Sequence, residues 1–217
     1  MNDSDTSAQT VRYASTGAAS DEADKREERE RHSLQAYVSD LLALERHIEK
    51  PLGSQRNAEA LGAYPTVAAT IERVASQNRA HIDALEIALA RLGGHPAAPL
   101  KSAWMALLGD AASAIGATRK TKVTKWLRDD DTALNLAAFS YGLLHATAVG
   151  LGDEGVAALA RAAMADYARS VMEINQIVPD VVLRELAQEG NLVVAGSAET
   201  IREQTNAIWR RESGVAR

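Results

Sequence analysis

Apolar residues recur every three or four positions along most of the chain, and polar residues interrupt two of the stripes that they form. One stripe runs through residues 34–52 and has Glu45 at its middle. A second runs through residues 67–92 and contains Asn78 and His81. This spacing predicts helices that bury one face. A buried carboxylate or imidazole is costly unless it is paired, so these residues need a metal, an ion pair or hydrogen-bond partners inside a bundle. This pattern is typical of a four-helix metal-binding bundle.

Proline and glycine residues divide the chain into four main predicted helices, joined as two hairpins. The first three helices are expected to end at or near Pro51, Leu92 and Leu151, and the fourth to end or kink at Pro179. The third helix is expected to start near Asp131, because Asp131 and Thr132 are good capping residues. Residues 100–128 show a weaker pattern, broken by two glycines, and are expected to form a long crossover of one or two short helices.

The composition favours an all-α fold. The chain has 217 residues, of which 46% are hydrophobic and 4% aromatic, and alanine, a strong helix former, is abundant. This length suits one substantial core with flexible ends. We therefore divide the chain into a disordered or charged N-terminal tail at 1–31, a bundle at 32–180 and a C-terminal helical extension at 181–217.

Charge and cysteine content exclude several classes of function. The formal net charge is −5, which gives no reason to expect nucleic-acid binding, and the short basic cluster within 119–128 is expected to be a solvated face. Cysteine is absent, which excludes disulfides, thiolate metal sites and a thiol nucleophile. We see neither a signal peptide nor a run of about 18 apolar residues, so no membrane contact and a cytoplasmic location are expected.

Four segments of the sequence follow one another in the order of a known bundle architecture. They are LLALERHIEKPL, ASQNRAHIDALEIALARLGGHPAAPL, AAFSYGLLHATAVGLGDEGVAAL and MADYARSVMEINQIVP. Together they resemble the ferritin-like superfamily, and more narrowly its bacterial YciE/YciF-type stress-associated branch, over about residues 34–180. The resemblance implies a ferritin-like four-helix bundle with a long crossover between the second and third helices. It also implies a homo-oligomer, a dimer formed through an outer face of the first two helices.

The resemblance implies a di-iron site built from a Glu on the first and third helices and a Glu-x-x-His motif on the second and fourth. Glu45 matches the carboxylate of the first helix. The second motif falls on Asn78-x-x-His81, which keeps the imidazole and replaces the carboxylate by an amide. The Glu of the third helix falls near Ala137, which has no ligand atom.

The fourth motif falls on Asp166-x-x-Arg169, where a guanidinium replaces the imidazole. Two divalent ions normally need about four carboxylates in such a bundle, and only Glu45 and Asp166 remain beside His81. These three residues form a remnant metal set that would hold iron or manganese. Our preferred hypothesis is that Arg169 has replaced the metal. It would reach Glu45 and Asp166, and Asn78 and His81 would complete the hydrogen bonds.

Two classes of function stay open at this point. The first is a bundle protein that has lost its di-iron chemistry and has a structural, assembly or stress-associated binding role. The second is a ferroxidase, peroxidase or oxygen-activating enzyme with a nonstandard ligand set around Glu45, His81, Tyr141, His145 and Asp166. Tyr141 and Tyr167 are expected to be packing residues, and His145 a core or boundary histidine.

The end of the chain offers a further candidate surface. Residues 198–212 form an amphipathic pattern with Ile201, Ile208 and Trp209. One short helix cannot bury its own apolar face, so this segment could dock on a protein partner. Packing of the segment back onto the bundle is at least as well supported.

Overall fold

The computed structural model describes residues 5–95 and 123–212, with side chains for 21–95 and 123–210. These residues form α1 (Asp5–Arg56), a 3-10 turn (Glu59–Ala63), α2 (Pro65–Arg91), α3 (Val123–Gly150), α4 (Glu154–Gln188) and α5 (Ser197–Glu212). The prediction of an all-α fold is confirmed for this part of the chain. Most of the predicted crossover, including Arg119, Lys120 and Lys122 of the basic cluster, lies outside the described residues.

Helices α1 to α4 pack in antiparallel pairs around one core. α1 pairs with α2 and α3 pairs with α4, while α1 also contacts α3 and α2 contacts α4. The side chain of Gln35 in α1 donates to the carbonyl of Leu92 at the end of α2. Arg91 at the same end forms a salt bridge of 2.8 Å with Asp153 in the α3–α4 turn. α2 and α3 therefore point the same way, and α2 ends at the opposite end of the core from the start of α3.

α3 begins at Val123, so the prediction of a start near Asp131 is wrong. Val123 and Leu127 are buried in the core. The carboxylate of Glu185 in α4 accepts hydrogen bonds from the backbone N–H of Thr124, at 3.2 Å, and from its hydroxyl, at 2.5 Å. An anionic group at a helix N-terminus is stabilising because it satisfies free N–H groups. Packing and this contact extend the helix upstream of the capping pair.

Neither Pro51 nor Pro179 ends its helix, which corrects two predicted boundaries. A proline inside a helix costs about 3 kcal/mol because it removes a hydrogen bond and crowds the preceding turn. Beyond Pro51, Leu52 and Gln55 are buried, and beyond Pro179, Val181 is buried. Side chains that pack on both sides of each proline keep the helix continuous. Residues 181–188, which the sequence analysis assigns to the C-terminal helical extension, are therefore the last part of α4.

α1 begins at Asp5, so it includes most of residues 1–31, for which the sequence predicts a disordered or charged tail. Residues 21–29 are exposed, and the buried face of α1 starts at Leu34. The charged residues of this stretch are good helix formers, which accounts for the helix continuing upstream of the core. The division of the chain into tail, bundle and extension stays a prediction.

α5 lies against α4, as expected for a final amphipathic segment that packs back on the parent chain. Polar contacts join the two helices. Arg202 donates to the carbonyl of Gln176 at 2.9 Å and forms an ion pair with Asp180. Asn206 accepts a hydrogen bond of 2.7 Å from the side chain of Gln176. Within the described residues, no helix is both long and apolar enough to cross a membrane.

A buried polar cluster as the candidate functional site

Polar side chains from four helices meet in the middle of the core. They are Glu45 of α1, Asn78 and His81 of α2, Tyr141 of α3 and Tyr167 of α4, and we call them the interior cluster. Four of them are fully buried and His81 is 7% exposed. Each lies on the buried stripe of its helix, between apolar neighbours, which is why the helical periodicity brings them to one place.

The Glu45 carboxylate is the centre of the interior cluster. Its Oε1 atom accepts a hydrogen bond of 2.6 Å from the hydroxyl of Tyr141. Its Oε2 atom accepts one from the hydroxyl of Tyr167 and one of 2.5 Å from the side-chain amide of Asn78. The same amide also donates to the backbone carbonyl of Glu45 at 3.0 Å. Hydrogen bonds to a charged acceptor are the strong ones, so three donors offset much of the cost of burying this carboxylate.

His81 lies between two carboxylates. Its Nε2 atom is 3.3 Å from Oδ2 of Asp166, at hydrogen-bond distance. Its Nδ1 atom is 3.4 Å from Oε1 of Glu45, an ion-pair distance without the alignment of a hydrogen bond. Burial alone lowers the pKa of His81, but the close contact with the Glu45 carboxylate and its charge, and then the hydrogen bond and charge of Asp166, outweigh it and raise the pKa. The protonated ring is therefore favoured, since it places a positive charge between two negative ones.

The two tyrosines stay protonated donors. Burial raises the pKa of Tyr141 well above 10.0, and the charge of Glu45 raises it further. The pKa of Tyr167 is raised by the same two causes in the same order. The ring of His81 packs edge-on against both, with ring centroids 5.7 Å from Tyr141 and 4.8 Å from Tyr167. The rings thus enclose the carboxylate while their hydroxyls bind it.

Arg169 does not play the part that the sequence suggested. Its guanidinium forms an ion pair with Asp166, but its side chain is 66% exposed, whereas Glu45 is fully buried. The hydrogen bonds to the Glu45 carboxylate come from Tyr141, Tyr167 and Asn78, as described above. The hypothesis that Arg169 reaches Glu45 is therefore wrong, and its contact with Asp166 is correct. The position beside Glu45 that the hypothesis gave to the Arg169 guanidinium is occupied by these three neutral donors and by the imidazole of His81.

The remnant metal set of Glu45, His81 and Asp166 lies in one place, but the ligand atoms of the three residues do not surround a common point. His81 faces Glu45 with one ring nitrogen and Asp166 with the other. A metal ion binds a single nitrogen of an imidazole ring, so one ion cannot contact all three residues in this arrangement. In the described ranges, no three His, Cys, Asp or Glu side chains are grouped so that they could hold a metal ion. The residues present fit the implied di-iron site poorly.

Two positions of α3 that bear on a metal site need separate comment. Ala137, at the position of the missing third-helix carboxylate, is fully buried. His145 is half-buried, and its Nδ1 atom is 3.0 Å from the carbonyl of Ala157, so it joins α3 to α4 outside the interior cluster. It is a boundary histidine of the kind expected from the sequence.

Sequence reasoning missed the role of Tyr141 and Tyr167, which were expected only to pack. One signal was available. Glu45 sits on an apolar stripe, and a buried carboxylate without a metal needs hydrogen-bond donors from neighbouring helices. Tyrosine can supply such a donor from an apolar stripe, because its ring packs while its hydroxyl bonds.

Searches of the chain against protein-family models, curated proteins and solved structures find no match. The resemblance to ferritin-like proteins therefore remains an expectation drawn from the sequence segments above.

Proposed function

We propose that this protein is a ferritin-like helical bundle that has lost di-iron chemistry and has a structural, assembly or stress-associated binding role, with the cytoplasm as its compartment. Two antiparallel helix pairs, with α2 and α3 pointing the same way, support this architecture because a long connection between parallel second and third helices is the ferritin-like plan.

The bonding of Glu45 is the observation on which this proposal rests. Both of its carboxylate oxygens already accept hydrogen bonds from Tyr141, Tyr167 and Asn78. The charges also balance locally. The carboxylates of Glu45 and Asp166 face His81, whose raised pKa favours the positively charged ring. Asp166 also forms an ion pair with Arg169 outside the core. A carboxylate that is satisfied in this way gains little from a cation, and a cation would have to displace its donors.

The exposed apolar residues of α5 support a binding role for this helix. The helix contacts α4 through polar residues, while Ile208 is 60% exposed and Trp209 is 55% exposed. An amphipathic helix in a single chain normally buries its apolar side. Exposed apolar residues on a helix at the surface are expected where that helix binds a protein partner.

A metal-dependent oxidoreductase with iron or manganese is the second candidate. One observation favours it: the Nδ1 atom of His81 is buried and has no hydrogen-bond partner. Buried atoms of this type are normally bonded, and a free imidazole nitrogen near a carboxylate is a metal-ligand combination.

Metal binding to the purified protein distinguishes the two candidates. We expect no stoichiometric iron or manganese, and the same thermal midpoint in chelator, Fe(II) and Mn(II), because a ligand stabilises only the state that binds it. Glu45→Gln should leave this result unchanged, as should the matched surface variant Glu72→Gln. A metal-dependent rise in the midpoint that Glu45→Gln abolishes and Glu72→Gln retains would support the oxidoreductase instead.

A further inference from the structure

A second buried polar pair lies at the end of the core where α1 ends and α3 begins. Gln55 is in the last turn of α1, and Asp130 is on the buried stripe of α3. The two residues are 5% and 6% exposed. The side-chain amide of Gln55 donates a hydrogen bond of 3.0 Å to Oδ1 of Asp130. Asp130 lies about 16 Å from Tyr141 along α3, at 1.5 Å per residue, so this pair is separate from the interior cluster.

Each member of the Gln55–Asp130 pair keeps one buried oxygen without a partner. The two atoms are Oε1 of Gln55 and Oδ2 of Asp130. Both are acceptors as long as the carboxyl group is ionised, and two acceptors cannot bond to each other. Buried polar atoms in proteins are normally hydrogen-bonded, so two unpartnered oxygens on one contacting pair require a physical reason.

One proton on Asp130 satisfies both atoms. A protonated carboxyl group is a donor as well as an acceptor. Its hydroxyl at Oδ2 can donate to Oε1 of Gln55 while Oδ1 still accepts from the amide, which gives two parallel hydrogen bonds between two planar groups. We propose that the Gln55–Asp130 pair is a pH-sensitive contact between α1 and α3, closed when Asp130 is a neutral carboxylic acid and opened when it ionises. This inference goes beyond the proposed function and requires neither a metal nor a partner.

In the part of the chain that the structure describes, the neighbouring helices pair no positive charge with Asp130. α1 and α4 are the helices that pack most extensively on α3. From α1 the neutral Gln55 contacts it, while the next residue, Arg56, binds Glu72 of α2 through two hydrogen bonds of 2.6 and 2.7 Å. From α4 comes Glu185, another carboxylate, which is bound to the start of α3. A paired cation would favour the ionised form, and these surroundings favour the neutral one.

The residues that flank Asp130 on α3 are negative as well. Asp129 forms an ion pair of 2.6 Å with Arg128, and Asp131 accepts a hydrogen bond of 3.1 Å from Asn135. Burial raises the pKa of Asp130 to about 6, the hydrogen bond from Gln55 opposes the rise, and the charge of Asp129 adds to it. The contact is therefore mostly closed at pH 5 and mostly open at pH 7.

Ionisation of Asp130 loosens the end of α1. The proton passes to solvent, and the pair keeps a buried charge and two unpartnered oxygens. Water reaches these atoms when the last turn of α1 moves away from α3. The pKa of Asp130 is about 6 in the closed state and returns towards 3.8 once the carboxylate is hydrated. Opening should therefore become about tenfold more frequent between pH 5 and pH 7, so this end of the bundle tightens in mild acid.

A metal ion fits these oxygens less well than a proton does. Hard cations in proteins take about six oxygen ligands or more, whereas the pair offers one carboxylate and one amide oxygen. No group of three His, Cys, Asp or Glu side chains that could hold a metal ion lies within the described ranges. One proton needs only the two atoms that are present.

Amide hydrogen exchange at pH 5 and pH 7, corrected for the intrinsic effect of pH, tests the opening. We expect the protection of residues 52–56 to fall about tenfold in the wild-type chain. Asp130→Asn should give equal protection at both pH values, because an amide at this position is permanently both donor and acceptor. Asp83→Asn, the same change at an exposed acid of α2, should retain the wild-type pH dependence.

Infrared spectroscopy detects the proton itself. At pH 5 the difference between the wild-type and Asp130→Asn spectra should contain the band of one neutral carboxylic acid, and this band should be largely lost at pH 7. Gln55→Met removes both hydrogen bonds at similar side-chain volume, so it should move the band to higher wavenumber.

Three results would overturn the inference: no such band at pH 5, a band that Gln55→Met leaves unmoved, or an unchanged pH dependence of exchange in Asp130→Asn. A thermal midpoint that Ca(II) raises at pH 7 in the wild-type chain but not in Asp130→Asn would also overturn it and assign the pair to a metal ion. Iron and manganese content affects none of these measurements, so a failure here is distinguishable from a failure of the metal-free interior.

Discussion

Removal of the Tyr141 hydroxyl is the sharpest perturbation of the interior cluster. Tyr141→Phe keeps the ring and its packing and deletes only the donor that lies 2.6 Å from Oε1 of Glu45. A hydrogen bond to a charged group contributes about 1.5 to 3 kcal/mol, and a buried acceptor that loses its donor regains no water. We therefore expect Tyr141→Phe to lower the free energy of unfolding by about 1.5 to 3 kcal/mol.

A second tyrosine of the chain supplies the matched control. The hydroxyl of Tyr64 lies 3.4 Å from the neutral amide oxygen of Gln188, so Tyr64→Phe makes the same chemical change at a weak bond. It should cost less than about 1 kcal/mol. Urea unfolding followed by circular dichroism measures both variants, with the slope of the transition checking that each stays two-state. Equal losses in the two variants would refute the claim that Tyr141 binds a buried charge.

Three further predictions concern protonation. His81 should titrate above 6.5 in a ring-proton NMR titration, and Asp166→Asn should bring its pKa down, because burial opposes protonation and the Glu45 and Asp166 carboxylates favour it. Since the pKa of His81 is raised in the folded state, its contribution to stability is complete below pH 6.5 and is lost as pH rises through the folded pKa. A stability that does not change over this pH range would contradict the placement of His81 between two carboxylates. Burial raises the pKa of Asp130 to about 6, with the hydrogen bond from Gln55 opposing it, so stability should fall as pH rises from 3.8 to about 6. Asp130→Asn should remove that slope and stabilise the protein at pH 7 by about 1 to 3 kcal/mol. In an alkaline absorbance titration, Tyr141 and Tyr167 should remain un-ionised until the protein unfolds, because burial and then Glu45 raise both pKa values; ionisation of all tyrosines near pH 10 in the folded state would exclude the cluster.

The polar residues that interrupt the apolar stripes were informative about the site because a buried polar group needs a hydrogen-bond or charged partner beside it. Glu45, Asn78 and His81 break helical stripes, and the structure brings all three into one cluster. The periodicity could not decide between Asp166 and Tyr167, since adjacent helical residues differ by only 100° and either position can face the core. Tyr167 is the buried one, which turns Arg169 outward and explains why the expected contact with Glu45 does not form.

The errors in helix boundaries have a common physical cause. Local signals, namely Pro51, Pro179 and the capping pair at 131 and 132, predict helix boundaries at these positions. In each case tertiary packing outweighs the local preference, because buried residues such as Leu52, Val181 and Leu127 lie beyond the expected boundary. Propensities of a few kcal/mol or less are weak constraints when the neighbouring turns belong to the core.

The most direct measurement is a crystal structure from crystals soaked in Mn(II), with anomalous data collected to locate bound metal. We expect both tyrosine hydroxyls to lie within about 2.8 Å of the Glu45 carboxylate, at hydrogen-bond distance, and no anomalous peak inside the core. A peak at about 2.2 Å from Glu45 and His81, at metal-ligand distance, would contradict the hydrogen-bonded interior and make the metal-dependent enzyme the better account.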